Sequence, residues 1–574
     1  MKKRLYIAAL AIAAIATLPS CEDFLNPESK TDITYNYLIS TPDGLSRAVI
    51  GLYNMERQIA NGDGGNLYVV NMCDYNTDIM VFRAGTSAAI ARLNTLLPNN
   101  SDIESFWTHH YSIIGKANEI IVSAENLGLD DEVVHKAWAE AKFFRGHAYF
   151  ELWKRFERLY LNTLPTTVDN LVRDYKPAST EEIFNQIKGD LEDAIATLAW
   201  DIPNKDYGRI TKAVAKHVRA QVAMWEKDYD KAIKECEDIF RDGTMYSMMP
   251  KTEDVFSGAD LRNSEVLWSY QFSENLGGGG SGTPLMGHRL AIITTTRYQS
   301  NAGCTFEAAQ GGYGWGRVYP NTYLFGLYDK EKDTRYEKLF IHKFYYNDPT
   351  NANYGKEIPA DLYGSSAGYL EKLHPMSKKH FDQWTNTTQP DRTSSFKDLI
   401  VYRLAETYLM CCEAYFHRDG GSSSEAIEYY NKTWSRAGNA RENGPLTLDM
   451  ILDEYARELH FEGVRWPLLK RLGLLYDRAR EHSGDLKSED PYLDTDYALG
   501  IFCTEIIWRG VDNAGIYRRT AKTYDHKADL GDNAHRNCDK CRTHQRQGSS
   551  QPYHFIVPEL VGNKARKKSS CGYA

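Results

Sequence analysis

The chain has 574 residues, of which 42% are apolar and 25% are charged, and its formal net charge at pH 7 is −9. This composition is typical of a globular protein, and it excludes a largely disordered chain or one embedded in a membrane along most of its length. The acidic balance argues against nucleic acid as a partner, because nucleic-acid-binding surfaces carry an excess of positive charge. The length allows two to four ordinary domains or one large composite domain.

The first twenty residues have the pattern of a processing signal. Lys2, Lys3 and Arg4 precede an apolar run, residues 5–18, that is too short to span a bilayer. The run ends in the sequence LPSC, which resembles a bacterial lipobox and implies cleavage before Cys21 and lipidation of its sulfur. An ordinary signal peptide with an incidental cysteine is the alternative. Cleavage would remove three positive charges and move the net charge from −9 to −12. We therefore expect a signal peptide over residues 1–20 and a lipidated tether over residues 21–40.

Residues 133–161 contain the longest helical pattern in the chain. Apolar residues recur there at three-and-four spacing, and Phe143, Phe150 and Trp153 form a second apolar row. A helix that is apolar on more than one side is buried between neighbours rather than laid on a surface. This segment is therefore predicted to be a scaffold helix.

Similar periodicity predicts further helices on both sides of this scaffold helix. Ser179 and Glu182 have the spacing of a capping box, which marks a helix start just behind them. The other predicted helices cover residues 42–59, 103–127, 212–225, 229–239, 399–417, 425–436 and 448–461. Short helices in pairs resemble tetratricopeptide repeats, in which stacking supplies the core that no single pair can bury. The predicted fold class is therefore mainly α, a tetratricopeptide-like helical-repeat superhelix.

The middle of the chain has a different character. Residues 242–398 are rich in Gly, Tyr, Asn, Thr and Pro, have little periodicity, and include one predicted strand at residues 266–272. Long irregular segments of this kind are usually functional or disordered, and the aromatic content favours function. We expect a single composite domain over residues 41–574, with helical blocks at about 41–241 and 399–470. The loop-rich insertion lies between the blocks, and an irregular tail covers about 484–574.

A series of short motifs follows the lipobox along the chain. The motifs are AEAKFFRGHAYF at 139–150, GRITKA at 208–213, NSEVL at 263–267, GWG at 314–316 with DTR at 333–335, RLAE at 403–406 with RAG at 436–438, and ELHFEGVRW at 458–466. In this order they resemble the motifs of the SusD/RagB family of outer-membrane nutrient-binding lipoproteins, and the resemblance covers nearly the whole chain. The resemblance implies a lipid-anchored, surface-exposed protein of the outer membrane. Such proteins bind oligosaccharides or polysaccharides, without catalysis, and deliver them to a SusC-like TonB-dependent transporter.

In this family the ligand site lies in loops at one face of the repeat, where aromatic faces and polar groups can contact sugars. Two loop segments supply the candidates by position. They are Asp74, Tyr75, Asp78 and Arg83 in the early loop, and Tyr298, Tyr313, Trp315 and Arg317 in the insertion. For Trp315 a buried core position is the alternative.

Three other functions stay open from the sequence. A peptide-binding, RagB-type member of the same family would need a groove with backbone-pairing edges. A purely structural partner of the transporter would have a degenerate pocket. An extracellular glycoside hydrolase needs two opposed carboxylates, and Glu458 and Glu462 lie four residues apart with Arg465 beyond them. Such a group more often forms a structural ion-pair cluster.

Cofactor and metal signals are weak. The chain has no phosphate-binding loop or dinucleotide fingerprint in a fitting place, so no cofactor is predicted. His535, Cys538, Cys541 and His544 are residue types that bind zinc, but all four lie within ten residues, whereas structural zinc sites join two separated pairs. A disulfide between Cys538 and Cys541, or free thiols, are the alternatives. Few or no disulfides are expected among the remaining cysteines.

Overall fold

The computed structural model describes residues 38–60, 74–75, 77–82, 101–156, 158–167, 170, 175–203, 206–273, 287–363, 367–385 and 387–482. Helices dominate the described part of the chain. The long helices of the first block are α1 (Pro42–Ala60), α2 (Ser101–Leu127), α3 (Glu132–Phe156), α4 (Thr180–Thr197), α5 (Lys212–Glu226) and α6 (Tyr229–Asp242). The predicted capping box is confirmed, since the Ser179 side chain accepts from the Glu182 N–H and the Glu182 carboxylate reaches back to the Ser179 N–H.

Short elements fill the insertion, and a second set of helices follows it. The short helices are α7 (Leu290–Thr294), α8 (Thr322–Gly326), α9 (Thr334–Lys338) and α10 (Ala367–Lys372). Three 3₁₀ turns cover Thr252–Phe256, Tyr298–Ser300 and Ala308–Gln310. The second set comprises α11 (Leu404–Asp419), α12 (Ser424–Trp434), α13 (Leu448–Leu459), α14 (Arg465–Arg471) and α15 (Leu475–His482).

Six short strands pair into three two-stranded antiparallel sheets in the described part of the chain. They are β1 (Met80–Phe82), β2 (Val266–Tyr270), β3 (Val318–Pro320), β4 (Phe340–Ile341), β5 (Met376–Ser377) and β6 (Leu399–Arg403). β1 pairs with β3, β2 with β6, and β4 with β5. The sheet β1–β3 joins the early loop to the insertion, so the two segments that supply the predicted site residues meet in space.

Consecutive helices pack in a stack. α2 packs on α3, α3 on α4, α4 on α5 and α5 on α6, and then α6 packs on α11, the first helix after the insertion. Residues of both blocks share one apolar cluster, in which Ala223 and Cys236 meet Leu409 and Cys412. The described helices therefore form one continuous stack, and the predicted fold class, a mainly α tetratricopeptide-like repeat, is confirmed.

The scaffold helix α3 is buried on nearly all sides. Its rings Phe143, Phe144 and Phe150 are fully inaccessible to solvent, and its small alanines allow neighbouring helices to approach closely. Polar side chains of α3 hold these neighbours in place. Arg145 makes a two-pronged ion pair with Asp190 of α4, with N–O distances of 2.8 and 2.7 Å.

Several boundaries differ from the predictions, and two of them differ most. Residues 399–403, LIVYR, were expected to begin a helix but form β6, because the segment contains β-branched and aromatic residues, pairs with β2 and is buried at four of its five positions. The helix predicted over residues 133–161 ends at Phe156. In the described part of the chain no helix combines the length and apolarity that crossing a bilayer requires. The four cysteines described, Cys236, Cys304, Cys411 and Cys412, are free thiols.

Candidate functional site

Three aromatic rings and two arginines of the insertion form a surface that we call the platform: Phe306, Tyr313, Trp315, Arg289 and Arg317. The rings of Phe306 and Tyr313 lie parallel, at an interplanar angle of 9° and a centroid separation of 5.5 Å. Tyr313 also meets Trp315 edge-on at 6.5 Å. Phe306 is 37% exposed, Tyr313 and Trp315 are half-buried, and the guanidinium groups of Arg289 and Arg317 lie over the Trp315 ring.

The backbone of the platform is fixed by pairing with helix α7. The N–H groups of Trp315 and Arg317 donate to the carbonyl oxygens of Ile292 and Ile293, at 2.7 and 2.9 Å. Gly314 lies so close to this neighbour that a Cβ atom would stand 2.1 Å from the Thr296 carbonyl oxygen. Only glycine fits there, so the approach of the two segments sets the positions of the rings on either side of it.

Tyr298 is a predicted ligand residue, and it is buried beneath the loop that carries the platform rings. Its side chain is fully buried, and its hydroxyl oxygen lies 2.9 Å from the Glu307 N–H and 2.9 Å from the Gly312 carbonyl oxygen. These contacts tie together the two ends of the loop between Phe306 and Tyr313. Tyr298 therefore positions the platform, and we leave it out of the group that contacts ligand.

Asp74 and Asp78 of the early loop are also buried, with no exposed surface. The Asp74 carboxylate accepts from the backbone N–H groups of Phe461 and Arg465, at 2.6 and 3.2 Å. Asp78 pairs with both prongs of Arg465, at 2.8 and 2.6 Å, and with Arg478 at 2.9 Å. These carboxylates join the early loop to the second helical block, and a ligand at the surface has no access to them.

The charge states of these two carboxylates differ for physical reasons. Burial raises the pKa of Asp74 to about 7, although the backbone donors from Phe461 and Arg465 act in the opposite direction. Burial alone would raise the pKa of Asp78 too, but the guanidinium groups of Arg465 and Arg478 hold it below its ordinary value. Both roles are structural.

The other early-loop candidates are not part of the platform as described. Tyr75 is 5% exposed and packs edge-on against Phe82 at 4.9 Å. Arg83 lies outside the described residues. Of the eight predicted ligand residues, the structure brings Tyr313, Trp315 and Arg317 together on one accessible surface. Phe306 and Arg289 complete that surface and were missed, because nothing in their local sequence distinguishes them from other loop residues.

Glu458 and Glu462 belong to a buried ion-pair cluster. Its five carboxylates are Glu265, Asp333, Glu454, Glu458 and Glu462, and its five cations are Arg335, Lys379, Arg403, Arg436 and Arg457. Burial alone would raise the pKa of Glu458, but the guanidinium groups of Arg436, Arg403 and Arg335 hold it well below its usual range. A permanently ionised, fully paired carboxylate is not available as a general acid, so the cluster is structural.

A cavity of about 110 Å³ lies between the helical blocks, lined by residues of α1, α2, α3, α5 and α11. Several of its polar groups bind each other. Glu56 contacts His147 at 3.2 Å and Tyr270 at 3.1 Å, and Gln221 donates to Glu406 at 2.6 Å. We treat this cavity as part of the scaffold, because its lining residues join the two helical blocks.

Within the described ranges no group of three or more His, Cys, Asp or Glu side chains is arranged to hold a metal ion. The weak zinc candidates, His535, Cys538, Cys541 and His544, lie outside those ranges, as does the predicted lipidation site Cys21.

Comparison with known proteins agrees with this architecture. A family model described as the SusD family matches residues 265–552, half of the chain, and a second, "Starch-binding associating with outer membrane", matches residues 23–223. A SusD-like protein P25 from Formosa agariphila is 24% identical over 494 residues, covering 80% of this chain and 87% of the relative.

Solved structures share the fold. A SusD homolog from Bacteroides thetaiotaomicron superimposes with a TM-score of 0.66 at 19% identity, covering 83% of this chain and 94% of the other. A laminarin-binding SusD-like protein has a TM-score of 0.63 at 21% identity, covering 82% and 98%. The described helices form a stacked helical repeat, and the insertion carries the platform. The chain belongs to the SusD family, which confirms the resemblance carried by its motifs.

Proposed function

We propose that this protein is a lipid-anchored binding protein of the outer-membrane surface, which captures oligosaccharides or polysaccharides and passes them to a SusC-like TonB-dependent transporter. The observation that carries the proposal is the platform. Family membership supports it, and so does a protein of the same fold that is described as a laminarin-binding SusD-like protein.

The chemistry of the platform suits a sugar. Pyranose rings have apolar C–H faces that pack on aromatic faces, and their hydroxyl groups hydrogen-bond to charged or amide groups at the edge. The parallel rings of Phe306 and Tyr313 offer an apolar face, and the guanidinium groups of Arg289 and Arg317 offer donors beside it. Because α7 and Gly314 fix the backbone, the rings need little ordering when a ligand binds.

The two helical blocks have a different task. They bury many of their charged groups in paired networks. A rigid stack that carries one loop-borne site is suited to holding a ligand for a partner rather than to transforming it. We therefore propose binding without catalysis.

The glycoside hydrolase alternative requires two carboxylates facing a cleft. Glu458 and Glu462 were the sequence candidates, and both are buried among guanidinium groups. The Glu307 carboxylate, next to Phe306 in the chain, already accepts hydrogen bonds from the side-chain amides of Gln310 and Asn347, at 2.8 Å each. No specific observation favours hydrolysis.

Calorimetric titration of the purified protein against a panel of oligosaccharides, with laminari-oligosaccharides and an oligopeptide mixture included, tests the proposal. Trp315→Ala and Tyr313→Ala are each expected to lower the affinity for the tightest-binding glycan by about tenfold or more, which is about 1.4 kcal/mol. Trp200→Ala is the matched control, because Trp200 also carries a cation over its ring, Lys212 at 5.9 Å, but lies on the helical stack.

Three results would overturn the proposal. They are unchanged affinity in both platform variants, binding of peptides alone, and bond cleavage detected by product analysis of the bound glycan.

A further inference from the structure

The two arginines of the platform lie over the same aromatic ring. The Cζ atom of Arg317 lies 4.6 Å from the centroid of the Trp315 ring, and that of Arg289 lies at 5.7 Å. Among the residues that the structure describes, neither guanidinium has a carboxylate within ion-pair distance. By contrast, Arg262 stacks on Tyr207 at 4.7 Å and is also paired with Asp260 at 3.0 Å.

Stacking on a ring holds a guanidinium in place without using its N–H donors. Those donors lie in the plane of the group, in a fork that matches the two oxygens of a carboxylate or the oxygens of a sulfate. Arg317 is half-buried and Arg289 is exposed, so both forks are accessible at the surface. Two oriented cations with no carboxylate partner in the described part of the chain form a recognition surface for a negatively charged group.

The charge of the whole chain strengthens this reading. The protein has a formal net charge of −9, so an anionic ligand is repelled by most of its surface. Two arginines with no ion-pair partner among the described residues, on the ring-bearing surface that we assign to ligand, are therefore a local reversal of charge. The carboxylate of Glu307, which is next to Phe306 in the chain, is engaged with Gln310 and Asn347.

We infer that the platform takes an anionic glycan, one that bears uronate carboxylates or sulfate esters, with the sugar face on the rings and the anionic group on the forks of Arg289 and Arg317. This inference rests on the proposed function, since it names the ligand class of the same site. Carboxylate and sulfate share the chemistry that these forks recognise, and the experiment separates them.

Two matched pairs of ligands test the inference by calorimetry on the full mature chain. The uronate pair is tetragalacturonate and its methyl ester, and the sulfate pair is a κ-carrageenan oligosaccharide and its desulfated form. Laminarihexaose serves as the neutral reference. In at least one pair the charged member is expected to bind about tenfold or more tightly than its neutral counterpart, and this preference should shrink as added salt screens the charges.

Substitutions then assign the preference to the platform. Arg317→Gln and Arg289→Gln should each reduce the ratio of charged to neutral affinity about tenfold, because glutamine keeps an N–H donor for hydroxyl groups but loses the positive charge. Arg262→Gln, which removes a stacked arginine that is paired with Asp260, should leave the ratio intact.

Equal affinity for the charged and neutral members of both pairs would overturn the inference, as would a preference that survives the loss of both arginines. If neutral glycans bind and depend on Trp315, the proposed function stands while the anionic specificity fails. If no glycan of either kind binds, both fail.

Discussion

Replacing Arg403 tests whether the buried ion-pair cluster holds the insertion to the second helical block. The side chain is 1% exposed and makes five hydrogen bonds, to the carboxylates of Glu265, Glu458 and Glu462 and to the Glu458 carbonyl oxygen, at 2.6 to 2.8 Å. Arg403→Met keeps much of the volume but removes all five bonds.

The magnitude follows from the charge balance of the cluster. Five carboxylates face five cations, so removing Arg403 leaves one buried negative charge without compensation. Breaking a buried pair in this way costs about 3–5 kcal/mol. The exposed pair Arg441–Glu428 is the control, and Arg441→Met should cost about 1 kcal/mol or less.

Urea unfolding at pH 7 measures both variants by linear extrapolation. Adding Glu462→Gln to Arg403→Met restores the balance of charge, so the double variant should be less destabilised than the sum of the single changes, by about 1–3 kcal/mol. The reasoning is refuted if Arg403→Met is no more destabilising than Arg441→Met, or if the two changes in the cluster are additive.

Three further predictions address pH, the platform and the anchor. Because the pKa of Asp74 is raised to about 7, its contribution to stability is fully present below about pH 4 and is lost as the pH rises to 7. The unfolding free energy of Asp74→Asn should therefore increase relative to that of the parent across this range. Parallel plots of unfolding free energy against pH would contradict this. Gly314→Ala should lower glycan affinity about tenfold in calorimetry, whereas Gly326→Ala, with no atom near its added Cβ, should not. Cys21→Ala should release the protein from the membrane fraction, and retention there would disprove lipidation.

Local sequence patterns predict the repeat well. Helices α1 to α6 follow from three-and-four apolar spacing and from caps such as Ser179, because these signals act within a few residues. The segment at residues 399–403 was misassigned because a short apolar run fits a buried strand or a buried helix equally well. Its strand partner, β2, lies more than a hundred residues earlier, and only the fold shows that pairing.

For the candidate site too, the residues that could be predicted are those whose signals lie close together in the chain. Tyr313, Trp315 and Arg317 were identified because they are close in the chain and lie in a motif of the family. Asp74 and Asp78 looked equally suitable, yet their partner Arg465 is nearly four hundred residues away, and periodicity carries no information about such a contact. Phe306 and Arg289 join the platform only through the packing of α7 and its neighbours.

The most direct test of the account is a crystal structure of the protein soaked or grown with the tightest-binding oligosaccharide from the panel. We expect a sugar ring packed on Phe306 or Tyr313 at van der Waals distance, roughly 4 Å, with polar groups of the sugar on Arg317. A well-ordered oligosaccharide bound at another surface, with the platform empty, would contradict it.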